Sequence, residues 1–145
     1  MMKRLVLAAA IAAFGITGVV AQSDPIAARK QIMKDNGAAS RNAREMIEGK
    51  QPFDLAKAKA SLATFAATHD KAKSLWPDNS KNGDTASLPA IWENKADFDA
   101  KLAKFSADAK AAEAKVKDLD TFKAEVAEVG KACGGCHQTY RKRQS

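Results

Sequence analysis

Residues 118–140 read DLDTFKAEVAEVGKACGGCHQTY, and their periodicity decides the fold. Phe122, Val126, Val129, Cys133, Cys136 and Tyr140 recur at steps of three and four residues, the spacing that lines one face of an α-helix. Asp118 or Asp120 can cap its start, because a carboxylate accepts the backbone N–H groups that a first turn leaves unpaired. The same rhythm runs upstream. Phe98, Leu102, Phe105, Ala109, Ala112 and Val116 form a seam behind a cap at Asn94. Leu55, Ala58, Leu62, Phe65, His69, Ala72 and Trp76 form another, opening at Asp54 and ending before Pro77, since proline disfavours helical geometry in the residue before it. A first helix is expected from Ser23-Asp24-Pro25 to about Gly49, with Ile26, Met33 and Ile47 near one face. One long polar loop, Asp78 to Ser87, and a short turn around Ile91 and Trp92 separate the second seam from the third. Four seams of similar length with mostly short joins predict an all-α protein, an antiparallel four-helix bundle.

Composition agrees. Hydrophobic residues at 46% and charged residues at 28% exclude a disordered chain, and 6% aromatics with four prolines are a poor supply for a β-sandwich or barrel. The length of 145 residues allows one ordinary domain. Its N-terminus has a separate role: Lys3 and Arg4 precede an uncharged apolar run from Leu5 to Val20, and Val19-Val20-Ala21 is a small-residue cleavage site. Residues 1–21 are therefore expected to be a cleaved signal peptide and residues 22–145 one helical domain. The run would span roughly 24 Å as a helix, short of a ~30 Å hydrocarbon core, which favours cleavage over an N-terminal anchor. Losing Lys3 and Arg4 lowers the formal charge from +7 to +5.

The mature core is thin. Of six Phe one, Phe14, is in the signal segment, and two Trp, one Tyr and many alanines must do the rest. An alanine seam lets helices approach closely yet buries little apolar area per residue, so the bundle has room for something large and apolar.

Cys133-Gly134-Gly135-Cys136-His137 suggests what that is. On a helix Cys133 and His137 lie one turn apart, so two thiols can meet the vinyl groups of a haem while the imidazole reaches its iron. Glycines let a backbone lie close to a flat macrocycle. Export supports this reading, because c-type haem is attached outside the cytoplasmic membrane. A thiol-redox motif of thioredoxin type would need a strand feeding the helix, and no strand pattern precedes Cys133. A zinc site would need a fourth ligand, for which only His69 or a carboxylate is available.

A haem motif within ten residues of the end of an exported helical chain resembles the class II c-type cytochromes, the cytochrome c′ superfamily. The resemblance covers the whole mature chain and includes Tyr140-Arg141 at the family's aromatic-arginine positions. It implies one covalently bound haem c inside the bundle, attached through Cys133 and Cys136, with His137 as proximal iron ligand. It also implies that Arg141, one turn beyond, influences that ligand by its charge.

The distal position separates two functions within this resemblance. High-spin members cap the iron with an apolar residue of the first helix and bind nitric oxide or carbon monoxide, whereas low-spin members place a methionine there. Here Met33-Lys34-Asp35-Asn36-Gly37 is similar to the low-spin members, which implies Met33 as distal ligand. Met46, the other methionine of the mature chain, lies about 140° around a regular helix from Met33 and cannot face the same group. His69 is a third candidate, placed near a helix end where partial exposure is expected. The leading expectation is a periplasmic electron carrier that is not an enzyme; the alternatives are a gas-binding haem protein and, from another class, a thiol–disulfide enzyme without haem. A charge of +5 suits an acidic redox partner. Basic residues spread among acidic ones on all four helices, together with export, argue against nucleic acid. No membrane association is expected after signal removal, and the chain is expected to be a monomer or a homodimer.

Overall fold

The computed structural model describes residues 24–143, so the expected signal peptide lies outside the described residues. Four long helices appear where the seams place them. They are α1 (Pro25–Ile47), α2 (Leu55–Ala72), α4 (Lys95–Lys115) and α5 (Leu119–Tyr140), with a single-turn α3 (Ala90–Glu93) and a 3-10 turn (Asp78–Ser80) inside the long connection. No strand is present among the described residues, only an isolated antiparallel bridge between Ser87 and Arg141.

Each boundary has a local cause. Asp24 Oδ1 accepts the Ile26 N–H at 2.9 Å, and Pro25 fills the first turn, where no N–H is needed. At the other end of α1 the Lys50 N–H reaches the Glu45 carbonyl at 2.9 Å and the Gly49 N–H reaches Met46 at 3.3 Å. That Schellman closure requires the left-handed backbone that Gly49 adopts at φ 71°. Asp54 caps α2 through the Lys57 N–H. Asn94 ends α3 and begins α4: its N–H bonds the Ala90 carbonyl at 2.9 Å, and its own carbonyl accepts from Phe98 at 3.0 Å. Asp118 and Thr121 form a reciprocal capping box on α5, so Asp118 and not Asp120 is the cap.

Two expectations need correction. α2 stops at Ala72, four residues before Trp76, because Lys73 and Ser74 turn the chain; Leu55, placed on the seam, is instead exposed at the helix start. In α1 the buried face is Ile32, Ala39, Ala43 and Met46, while Ile26 and Met33 face an opening in the bundle.

That opening organises the molecule. α2 packs extensively against α1 and α4, and α4 against α5, but α1 and α5 hardly touch. The core is accordingly divided. One cluster centres on Met46, Leu62, Phe65, Phe105 and Phe122, the other on Ile32, Ile91, Phe98, Leu102 and Tyr140. The thin core legible in the sequence is two small cores with a gap between them.

Candidate haem site

The gap is a cavity of about 660 Å³, within the ordinary range for a cofactor pocket of about 300–1,000 Å³. α5 supplies Cys133, Cys136 and His137 to its wall, and α1 supplies Met33. Cys133 packs against the first core cluster and Cys136 against the second, so the two thiols stand at the two sides of the gap. Both are free, and burial raises both thiols above their ordinary range; Cys136 adds to this at Cys133, while at Cys136 Lys101 opposes it and Asp97 adds to it. A thiol–disulfide enzyme needs the opposite, a thiolate stabilised near neutrality.

His137 is partly buried, and both burial and the charge of Arg141 hold it below the usual histidine range, which keeps its imidazole neutral and its lone pair available. Arg141 is set by backbone pairing: the helix ends at Tyr140, Leu88 N–H donates to the Tyr140 carbonyl at 3.0 Å, and Lys142 N–H donates to Ala86 at 2.8 Å. The loop before α3 and the chain after α5 thus close one end of the cavity together, with Ser87 and Arg141 on its wall. Gly83, at φ 118°, lets that loop press on α1, where any Cβ would stand 3.2 Å from Ile26 Cδ1.

The expected distal residues separate clearly. Met33 lines the cavity and is 43% exposed, whereas Met46 is 1% exposed inside the first core cluster. His69 also lines the cavity. Its Nδ1 donates to the Phe65 carbonyl at 2.8 Å, its ring lies 3.9 Å from that of Phe105, and burial holds it below the usual range against the opposing effect of that carbonyl bond.

Two features test whether a haem fits. Gly37 and Gly135 line the cavity from opposite walls, and a Cβ on either would meet nothing within 4 Å, so the space beside them is open for a flat group. Arg29 Nε and Trp76 Nε1 are buried without a partner among the described residues. Both side chains line the cavity, and orphaned buried donors of this kind suit the carboxylates a haem carries. The remaining donors of Arg29 bond the Leu75 carbonyl and Ser80, and its guanidinium stacks 4.4 Å over the Trp76 ring, so it is held rigidly. Arg29 was not among the expected site residues. Its one signal in the sequence is that it precedes Met33 by four residues and so shares its face.

A covalent haem motif on the last helix of a bundle, facing a gap large enough for the macrocycle, defines a c-type cytochrome of the helical-bundle class. The family described as Cytochrome C' matches residues 24–141, and the chain belongs to that family, the class II c-type cytochromes, whose cofactor is one covalently bound haem c. It is 40% identical to a cytochrome c′ of Rhodopseudomonas palustris over 100% of both chains. It is 34% identical to a cytochrome c-556 of the same organism over 99% of each. The structure of cytochrome c′ from R. palustris superposes with a TM-score of 0.81 at 42% identity, covering 86% of this chain and 100% of that one. An NMR-validated structure of oxidised R. palustris cytochrome c556 gives 0.77 at 33%, with the same coverage. The family and these relatives support a haem protein of electron transfer or gas binding.

Proposed function

We propose that this protein is a periplasmic electron carrier, not an enzyme, whose haem is attached through Cys133 and Cys136 and held between His137 and Met33. The observation that carries the reading is that Met33, and not Met46, stands on the cavity wall across from the α5 motif. The haem supplies a one-electron couple; the protein does the rest. His137, kept neutral by burial and Arg141, offers a nitrogen from α5, and Met33 offers a thioether from α1. Held by side chains fixed on two separate helices, His137 on α5 and Met33 on α1, the group would have little around it to rearrange when charge changes. Sulfur as the second ligand raises the potential relative to a second imidazole. Phe65, Phe98, Leu102 and Phe105 exclude water from the site. Export rests on the N-terminal segment, and no described helix is long and apolar enough to cross a membrane.

Absorption spectra with and without carbon monoxide test this. The ferric protein should be low-spin with a sulfur-to-iron band, and the ferrous protein should bind carbon monoxide weakly or slowly. A five-coordinate ferrous protein that binds the gas avidly would establish the second reading, a gas-binding haem protein, which the similarity to cytochrome c′ supports. Periplasmic fractionation of a bacterial host checks the location.

A further inference from the structure

We propose that His69 is a reserve ligand for the haem iron, standing level with Met33 on the same wall of the cavity and taking the sixth coordination place when the Met33 sulfur is lost. The proposal rests on the reading of Met33 as distal ligand.

The first argument is register. α1 and α2 are antiparallel neighbours joined by a short connection, and the Thr68 hydroxyl bonds Asn36 Oδ1 at 2.7 Å, which fixes their relative height. Met33 lies three residues from Asn36 toward the start of α1, about 4.5 Å along the axis. His69 lies one residue beyond Thr68 in the same direction, about 1.5 Å. The two Cα atoms therefore differ by only about 3 Å in level, and both side chains line the cavity.

The second argument is the chemistry of the ring. A carbonyl only accepts, so the 2.8 Å contact with Phe65 places the proton of neutral His69 on Nδ1 and the lone pair on Nε2. Nε2 has no hydrogen-bond partner among the described residues. Histidines that bind metals characteristically donate their other ring N–H to a backbone carbonyl or carboxylate, which fixes the tautomer and orients the ligand. His69 has that support already, and Phe105 at 3.9 Å restrains its ring. The exchange is balanced without a redox step: a sulfur–iron bond breaks, a nitrogen–iron bond forms, and the oxidation state is unchanged.

Holoprotein variants decide the matter. Met33→Leu should lose the sulfur-to-iron band yet remain low-spin, with a lowered potential and little carbon monoxide binding. Met33→Leu with His69→Phe should become high-spin and bind carbon monoxide readily, and His69→Phe alone should keep the wild-type spectrum. A Met33→Leu protein that is already high-spin and gas-binding overturns the reserve role while leaving Met33 ligation intact. A wild type that lacks the sulfur band and loses its low-spin state on His69→Phe overturns both. If Met33→Leu yields too little holoprotein, Met33→Ala with and without His69→Phe gives the same contrast.

Discussion

The two methionines of α1 stand in different surroundings, and exposure separates them. Met46 is 1% exposed in the first core cluster; truncating a buried methionine to alanine costs about 2–5 kcal/mol. Met46→Ala should therefore lower the denaturation midpoint while leaving the sulfur-to-iron band unchanged, and a lost band would transfer ligation from Met33 to Met46. The cysteines make a chemical claim instead of an energetic one. Thioether bonds survive unfolding, so haem should travel with the polypeptide in denaturing electrophoresis, and Cys133→Ala with Cys136→Ala should abolish that staining. Survival of covalent haem in the double variant would misplace the attachment. At this scale the sequence was informative, because Cys133, Cys136 and His137 are neighbours along the chain. Arg29 was not legible, since its role depends on Leu75, Trp76 and Ser80, which only the turn after α2 brings to it.

Among the elements, α5 carries Cys133 and Cys136 and α4 braces it. The Tyr140 hydroxyl donates to Asp97, and Asp97 also accepts from Lys101 at 2.6 Å, so a carboxylate on α4 holds the last turn of α5 beside Cys136. The Asp97 bond pushes the Tyr140 hydroxyl up to about 12, and Lys101 and Tyr140 hold Asp97 below the ordinary carboxylate range. The signs follow from linkage. Tyr140, raised when folded, contributes stability below its unfolded value, near 10, and that contribution is lost as pH rises toward 12. Asp97, lowered when folded, contributes above the ordinary carboxylate value, and its contribution is lost as pH falls through its lowered one. The chain has one tyrosine, so tyrosinate absorbance reports this group alone. Its titration midpoint should lie well above 10 in the native protein, and Asp97→Asn should bring it back near the ordinary value. A midpoint that ignores this substitution would break the brace. Helix existence was legible because each seam repeats its period several times, and all six residues of the third seam are buried, five within α4 and Val116 just after it. The face of α1 was not, because periodicity marks apolar residues without saying whether a helix or a cofactor lies opposite Met33.

Across the whole molecule, the charge seen in the sequence acquires a location. Lys30 of α1, Lys101 and Lys104 of α4 and Arg141 after α5 all line the cavity, and no carboxylate among the described residues does. These four are far apart in the chain, so composition gave the sign of the charge but not the place where electrons would enter or leave. Exposed ion pairs with Asp84, Asp97 and Asp108 moderate the field near Lys30, Lys101 and Lys104, yet such pairs are individually weak and screened. The net cationic mouth should steer anionic partners over a Debye length of about 10 Å at 0.1 M salt. Oxidation of the ferrous protein by anionic ferricyanide should therefore slow as ionic strength rises, and oxidation by a cationic cobalt complex should quicken. Lys104 is well exposed, so Lys104→Glu changes the local charge by two units with little effect on the core. That variant should lose several-fold of the low-salt rate with ferricyanide, and should match the wild type near 1 M salt, where the Debye length is only about 3 Å. A salt slope identical in the two proteins would mean that electrons leave elsewhere than this mouth.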